Sequence, residues 1–338
     1  MKRVAVVILN WNGEALLRRY LPVVVSTSES EDVEVVVADN ASSDGSIELL
    51  RREFPTVSIV QLDKNYGFAG GYNRALEQID SQYVVLLNSD VATTQGWLRP
   101  LIDMMDADDS VGACAPKLMD DKRHTHFEYA GAAGGYIDWL GYPFCRGRIM
   151  DAVEEDRRQY DDNVDALWVS GAALMVRRQE YVSAGGLDED FFAHMEEIDL
   201  CWRLRNRGKR VIACGDAEVF HLGGATLNSG NPRKTYLNFR NSLSMLVKNY
   251  NNSWWPIVIL LRLLLDGVAG VKFLLSGGAA HCWAIVRAHW SFFGQLPSVV
   301  RKRSSLKEGR ETTLPREVKR YSIVWKYYVC RVRKYSQL

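Results

Sequence analysis

Apolar and polar positions alternate in blocks along the first ninety residues of the chain. Val4 to Leu9 is an unbroken aliphatic run, the pattern of a strand covered on both faces. Glu14 to Val25 follows with helical spacing, and Val33 to Ala38 is a second unbroken run. Val57 to Gln61 predicts a third strand, Phe68 to Ile79 a helix and Tyr83 to Leu87 a fourth strand. Strands that alternate with helices through short connections predict an α/β fold with a mostly parallel sheet flanked by helices. Ligands of such sheets gather at the carboxyl ends of the strands, where Asp39 and Asp90 fall. Ser43 or Asp44 is placed to cap the helix after the second strand.

Beyond residue 116 the pattern loosens. Lys117 to Asp165 mixes glycine, aromatic and charged residues without periodicity, as a long binding loop does. Regularity returns at Leu167 to Val176, in a helix from about Glu197 to Asn206, in short strands near Arg210 and Val219, and in a helix from Pro232 to Tyr250. Trp254 to Leu275 and Ala279 to Phe293 are apolar, but Arg262, Asp266 and Lys272 interrupt the first and His281, Arg287 and His289 the second. Several charges at mid-bilayer, at roughly 2.5–3.5 kcal/mol each, offset much of the apolar gain of a membrane span. Arg262 and Asp266 are spaced to pair on one helical face. The pattern fits helices lying in a membrane interface, with Trp254, Trp255, Trp283 and Trp290 at headgroup level and Arg301-Lys302-Arg303 drawn to anionic lipid. A buried hairpin or a contact in a homo-oligomer is the other reading. The chain thus divides into an α/β domain over residues 1–230 and a helical C-terminal region with a basic tail over 231–338.

Composition narrows the partners. The 42 basic residues balance 41 acidic ones, which argues against a dedicated nucleic-acid binder. Six cysteines show no Cys-x-x-Cys spacing, the mark of free thiols in a reducing compartment. The N-terminal apolar run is broken by Asn10, Asn12 and Glu14 and reads as a strand rather than a signal peptide. A cytoplasmic placement, peripheral on the inner face of the cell membrane, is expected.

The candidate chemistry sits at strand and helix ends. Asp39 can accept hydrogen bonds from a nucleotide, although an Asp before a turn is also a common capping residue. Asn65 to Asn73 holds three glycines, Gly67, Gly70 and Gly71, and opens a helix, so backbone can approach a phosphate. The Gly-x-Gly-x-x-Gly spacing of a dinucleotide site and the Gly-Lys-Ser/Thr of a Walker loop are both absent. Asp90, in Asn88-Ser89-Asp90, is a hard oxygen ligand suited to Mg²⁺ or Mn²⁺ on a pyrophosphate. Glu196, Glu197 and Asp199 crowd a helix start, where the helix dipole favours them and mutual repulsion suits one to general-base work. Asp199 and Arg203 are spaced to pair. His221, after Val219-Phe220, can complete a metal shell as a neutral imidazole.

The order of these pieces is more specific than any one of them. Asn10-Trp11-Asn12-Gly13, Asp39 to Gly45, the Asn65–Asn73 loop, Asn88-Ser89-Asp90, Gly185-Gly186-Leu187-Asp188 and the run from Phe191 to Arg203 together resemble glycosyltransferase family 2, with its bacterial rhamnosyltransferase-like branch the nearest likeness. The resemblance spans about residues 3 to 250. It implies the GT-A fold, a nucleotide-diphosphate sugar donor, a divalent metal and inversion at the anomeric carbon. It places Asn10, Asp39, Asn65, Gly67, Gly71, Asn73 and Asn88 around the donor, and Asp90 and His221 on the metal. Glu196-Glu197 stands where the family commonly has Glu-Asp, whose second residue is usually the base. Glu197 is therefore the expected base and Glu196 its rival. Asn88 replaces the first Asp of the metal motif, and Glu197 is one methylene longer than the usual Asp. The implied function is sugar transfer, with a lean to rhamnose, onto a saccharide or lipid-linked saccharide in cell-surface polysaccharide synthesis. A sugar nucleotidyltransferase and a catalytically retired saccharide-binding or membrane-assembly subunit are the alternatives.

Overall fold

The computed structural model describes residues 2–223, 230–306 and 313–338. The N-terminal part alternates strand and helix: β1 (Val4–Asn10), α1 (Glu14–Ser28), β2 (Val33–Asp39), α2 (Ser46–Glu53), β3 (Ser58–Gln61), α3 (Gly67–Glu77) and β4 (Tyr83–Asn88). These four strands are mutually parallel in the order β4-β1-β2-β3. Val4, Val6 and Ile8 of β1 face one core with Leu17, Leu21 and Leu50. Ala5 and Val7 face the other with Ala69, Tyr72 and Leu76. A strand that feeds two cores must be apolar at every position, which is why β1 reads as an unbroken run. The second helix begins at Ser46 with Gly45 as its cap residue, and the Asp44 carboxylate takes the Ser46 N–H at 3.1 Å.

The sheet then becomes mixed. β5 (Val91–Thr93), α4 (Leu98–Ala107), β6 (Val111–Asp120) and β7 (Arg123–Phe127) come next. Lys117 to Asp165 is not the irregular loop that its composition suggested: β6 and β7 take up its first part, and residues 135–165 are also ordered into strands. They form short strands β8 (Gly135–Asp138), β9 (Pro143–Cys145), β10 (Arg148–Ile149), β11 (Ala152–Val153) and β12 (Val164–Asp165). β8 to β11 build a small second sheet around Tyr136, Phe144 and Ile149. The main sheet resumes with β13 (Ala173–Arg177), antiparallel to β4. It is followed by α5 (Arg178–Ser183), α6 (Glu196–Asn206) and β14 (Arg210–His221). The two short strands expected near Arg210 and Val219 are one strand, interrupted where residues 215–217 leave the register with β6.

Three helices follow: α7 (Pro232–Asn249), α8 (Trp255–Leu275) and α9 (Ala279–Ser305). α7 starts at Asn231, whose side chain accepts the Arg233 N–H, with Pro232 in the first turn, a strong start signal. Last come β15 (Val318–Lys319) and α10 (Ile323–Tyr328). β15 pairs with β8, so the C-terminal stretch returns to complete the small sheet. Among the described residues no helix is long and apolar enough to cross a membrane. The paired charges of α8 point inward. Arg262 donates to Leu140 O and Ser242 Oγ, each at 2.9 Å, and lies 3.5 Å from Asp266. Asp266 accepts from the Tyr142 hydroxyl at 3.1 Å.

Candidate active site

Strand ends build the first part of the site. Asn10 closes β1 and Asp39 closes β2, opposite each other in register. Both are buried. The Asn10 amide donates to Asp39 Oδ1 at 3.0 Å and to Ser42 Oγ at 3.1 Å, and Asp39 Oδ2 accepts the Ser42 N–H at 2.9 Å. Each carboxylate oxygen retains a further acceptor position for a nucleotide donor. Asn10 Oδ1 is buried without a partner.

Asn40, passed over in the sequence, organises the glycine-rich loop. Its Nδ2 donates to Asn65 Oδ1 and to the Gly67 carbonyl, each at 3.0 Å, and its Oδ1 accepts the Tyr66 N–H at 2.9 Å. Asn65 Oδ1 also accepts the Gly67 N–H at 2.8 Å. Gly67 has φ +72°, a conformation that glycine adopts without steric cost. Two expectations are corrected here. A Cβ at Gly71 would lie 2.7 Å from Leu9 Cδ1, so Gly71 is where α3 packs onto β1. Asn73 turns away to the Gly185–Glu189 turn. Its Oδ1 accepts from the Tyr181 hydroxyl at 2.6 Å and the Leu187 N–H at 3.0 Å, and its Nδ2 donates to Leu187 O at 2.9 Å. Its hydrogen-bonding capacity is used up as a brace, which leaves nothing for a donor.

Asn88 and Asp90 flank the end of β4, and β14 delivers His221 to them because β5 pairs Val91 with His221. His221 Nε2 lies 3.1 Å from Asp90 Oδ1 and 3.4 Å from Asn88 Nδ2. On the other side of the ring Nδ1 lies 3.6 Å from Glu128 Oε1. That contact is too long for a hydrogen bond, and Nδ1 is otherwise unpartnered. Burial disfavours the imidazolium, but the Asp90 and Glu128 carboxylates outweigh it and push the His221 pKa up to about 10. The surroundings therefore favour positive charge, as a proton or as a divalent cation. Among the described residues no group of three or more His, Cys, Asp or Glu is arranged to hold a metal. Asp90 and the imidazole supply one oxygen and one nitrogen. Glu128 lies beyond the opposite ring nitrogen, where its charge favours a cationic or metal-bound imidazole. Glu128 lies in the stretch without periodicity, so nothing in the sequence marked it.

The second carboxylate cluster opens α6. Glu196 is buried and Glu197 half-buried, and one oxygen of each has no partner. Burial and the neighbouring Glu197 push Glu196 well above the ordinary carboxylate range, and burial also pushes Glu197 up. Asp199 instead points into the core, where it accepts from Arg203 Nε at 2.8 Å, Lys248 Nζ at 2.9 Å and Asn249 Nδ2 at 2.7 Å. The cluster touches the strand-end group. A Cβ built on Gly171 would lie 3.3 Å from Glu197 Cβ, and adjacent Ala172 accepts the Asn88 N–H at 2.9 Å. Glu197, Gly171, Ala172 and Asn88 thus form one continuous rim.

Comparison with known proteins places this geometry. Residues 5–152 match the family model described as glycosyl transferase family 2. N-acetylglucosaminyl-diphospho-decaprenol L-rhamnosyltransferase of Mycobacterium tuberculosis (strain CDC 1551 / Oshkosh) is 25% identical over 323 residues, 90% of this chain and 98% of its own. Rhamnosyltransferase WbbL of Escherichia coli (strain K12) is 24% identical over 153 residues, 43% of this chain and 57% of its own. Among solved structures, GalNAc-T7 with UDP, GalNAc and Mn²⁺ matches with TM-score 0.64 at 13% identity, over 98% of this chain and 57% of that one. The mannosyltransferase PcManGT from Pyrobaculum calidifontis, with GDP-Man and Mn²⁺, matches with TM-score 0.52 at 17% identity, over 91% of this chain and 89% of that one. The structural likenesses establish the GT-A fold, and with the ordered motifs they lead to one assignment: residues 5–152 carry the glycosyl transferase family 2 pattern, and the chain is similar to rhamnosyltransferases.

Proposed function

We propose that this glycosyltransferase inverts the anomeric carbon of a nucleoside-diphosphate sugar, rhamnose by its relatives, and transfers it to a saccharide carried on a polyprenyl diphosphate. The observation that supports this reading is the shared rim: Asp90 and His221 on one side of Gly171-Ala172, and the unpartnered Glu196–Glu197 oxygens on the other. Asn10, Asp39 and the Asn65–Gly67 loop face the nucleotide. Glu197 accepts the proton of the acceptor hydroxyl, whose oxygen forms the new bond to the anomeric carbon as the carbon–diphosphate bond breaks and its electron pair leaves with the nucleotide. Glu197 carries this role ahead of Glu196 because it lies against Gly171 and is less deeply buried. The oxygen and nitrogen donors of Asp90 and His221 suit Mg²⁺ or Mn²⁺. When bound, such an ion neutralises charge on the leaving diphosphate.

A lipid-linked acceptor calls for a membrane surface, and α8–α9 supplies a candidate. Leu260, Leu264, Val268, Val271 and Leu275 on α8, and Trp283, Trp290 and Phe293 on α9, are exposed. Residues 255–305 contain a single acidic residue, Asp266, and it is buried. An apolar face with basic flanks and no exposed acid fits an anionic leaflet. Peripheral association with the inner membrane face follows on this reading.

The test is calorimetric titration with dTDP and UDP, each with Mn²⁺, Mg²⁺ or chelator, on the full chain and on Asp90→Ala. It is paired with a transfer assay using dTDP-rhamnose and a polyprenyl-diphosphate saccharide. Metal-dependent nucleotide binding that Asp90→Ala removes, together with a product of inverted configuration, is expected. Metal-independent binding, or a product of retained configuration, refutes the assignment.

A further inference from the structure

The backbone that presents the two glutamates is held in an unfavourable shape. Phe192, His194 and Met195, none of them glycine, have φ of +65°, +69° and +75°. Each such residue costs on the order of 1–3 kcal/mol and persists only where its surroundings enforce it. Met195 is also the cap residue of α6, and its side chain caps nothing. The strained segment therefore sets the direction from which Glu196 and Glu197 enter the site, and the helix start does not hold it in place.

One side chain from a distant element supplies the enforcement. Asn241, in the middle of α7, is fully buried. Its Nδ2 lies 3.0 Å from Phe191 O, 2.9 Å from Ala193 O and 2.8 Å from His194 O. Arg240 fixes its orientation by donating from Nε to Asn241 Oδ1 at 2.8 Å, and reaches Asp190 O at 2.9 Å and Phe191 O at 3.0 Å. The pair thus collects carbonyls from four of the five residues 190–194. Those carbonyls converge because the left-handed residues bend the chain back on itself, and convergent carbonyls repel unless a donor lies between them. The start of the same turn is tied separately, through Lys248 and Lys302 to Asp188. Asn241 is the group that gathers the carbonyls on either side of Phe192 and that of His194 itself.

We infer that Asn241, oriented by Arg240, is a positioning residue: it holds the strained 191–195 backbone so that the Glu196–Glu197 carboxylates face the reacting hydroxyl. It touches neither substrate nor metal. The inference rests on the proposed base role of this pair. A displacement of the base by about 1 Å costs a large factor in rate, whereas the donor groups at the ends of β1, β2 and β4 lie on other elements. Loss of Asn241 is therefore expected to lower turnover and spare donor binding.

The experiment compares Asn241→Ala, Asn241→Ser, Glu196→Gln and Glu197→Gln with the parent full chain. Asn241→Ser retains one donor and serves as the conservative variant. Turnover, dissociation constants of the nucleotide with Mn²⁺, and amide hydrogen exchange of the 189–197 segment are measured on each. Asn241→Ala is expected to lower kcat about 10- to 100-fold, following the positional sensitivity of catalysis. It should leave nucleotide affinity within about twofold, quicken exchange in 189–197 ahead of the sheet strands, and be partly rescued by Asn241→Ser. An unchanged kcat, or unchanged exchange in that segment, overturns the inference while leaving the base assignment intact. Parallel loss of nucleotide affinity overturns it as well, because the residue would then support the whole fold. Should both Gln variants turn over normally, the base reading falls and the inference with it, even if exchange in 189–197 quickens.

Discussion

The β1–β4 sheet and helix α8 use the same aliphatic residues in opposite ways. Val84 to Leu87 of β4 are fully buried between two layers of helices. On α8 the buried positions are Val258, Ile259, Gly270 and the charged pair Arg262 and Asp266, 2% and 0% exposed, while Leu264 is 62% and Leu275 84% exposed. The sheet is arranged against water on its outside. α8 buries a charged pair and turns an aliphatic stripe outward. Arg262 stacks on Tyr142 with its guanidinium 3.9 Å from the ring centroid, and Asp266 meets Tyr142 and His289. Buried charge of this kind fixes how the helix seats, and the outward aliphatic stripe is left for an apolar medium. Helix amphipathicity alone thus does not say which side faces the protein. The position of the charges does.

If catalysis belongs to the sheet and docking to the hairpin, the two should fail separately. Glu197→Gln is expected to lower transfer by about 10²–10⁴-fold, the usual contribution of a general base, with vesicle binding unchanged. Asp266→Ala strips Arg262 of its partner and should cost about 3–5 kcal/mol of stability, as breaking a buried pair does, read by urea unfolding. Leu264→Ser, on the same helix but facing outward, should stay within about 0.5 kcal/mol of the parent. Equal losses from both would break the inside-out description of α8. Leu260→Asp with Leu264→Asp removes two apolar contacts with lipid, each worth about 1.5–3 kcal/mol when fully buried. Flotation with anionic vesicles should then fall at least tenfold, while nucleotide binding stays as it was. Point changes are preferable to truncation after Asn249, because truncation would also remove β15 from the small sheet and Lys302 from Asp188.

The sequence was most legible where periodicity was strict. β1, β2 and β4 fall within a residue of the runs that predicted them, and α1 and α3 within three, because burial on both faces of the sheet forces apolar residues at every strand position. The pairings of Asp199 with Arg203 and of Arg262 with Asp266 were readable from helical spacing alone. The small sheet was not readable. Its strands are two to four residues long, too short for any period to show, and its last strand comes from residue 318. Glu128, Asn40 and Asn241 were invisible for a related reason. Each acts on residues far away in the chain, from about 25 positions for Asn40 to about 90 for Glu128, and no local pattern records a contact of that span. Asn73 shows the converse: it sits inside a telling motif, yet its amide is spent on the turn at Leu187.

The smallest expected effect is in the pH dependence. Burial raises both glutamates above the 4.5 of an ordinary Glu, and the Glu197 charge raises Glu196 further. A base works only when deprotonated, so as pH falls transfer should be lost through a limb that lies above 4.5, with the parent still folded. Raising such a carboxylate's pKa in the folded chain also means that the folded state holds the proton more tightly than the unfolded one. Between the unfolded and folded values, stability therefore falls as pH rises, opposite to the usual carboxylate. Because burial is what raises Glu197, Glu196→Gln should leave the kinetic limb in place. Glu197→Gln should abolish the limb together with the activity. The pH–kcat profile of Glu196→Gln is the measurement. A limb that moves down would mean that the Glu196 charge also raises the base, and a limb lost together with the rate would transfer the role to Glu196.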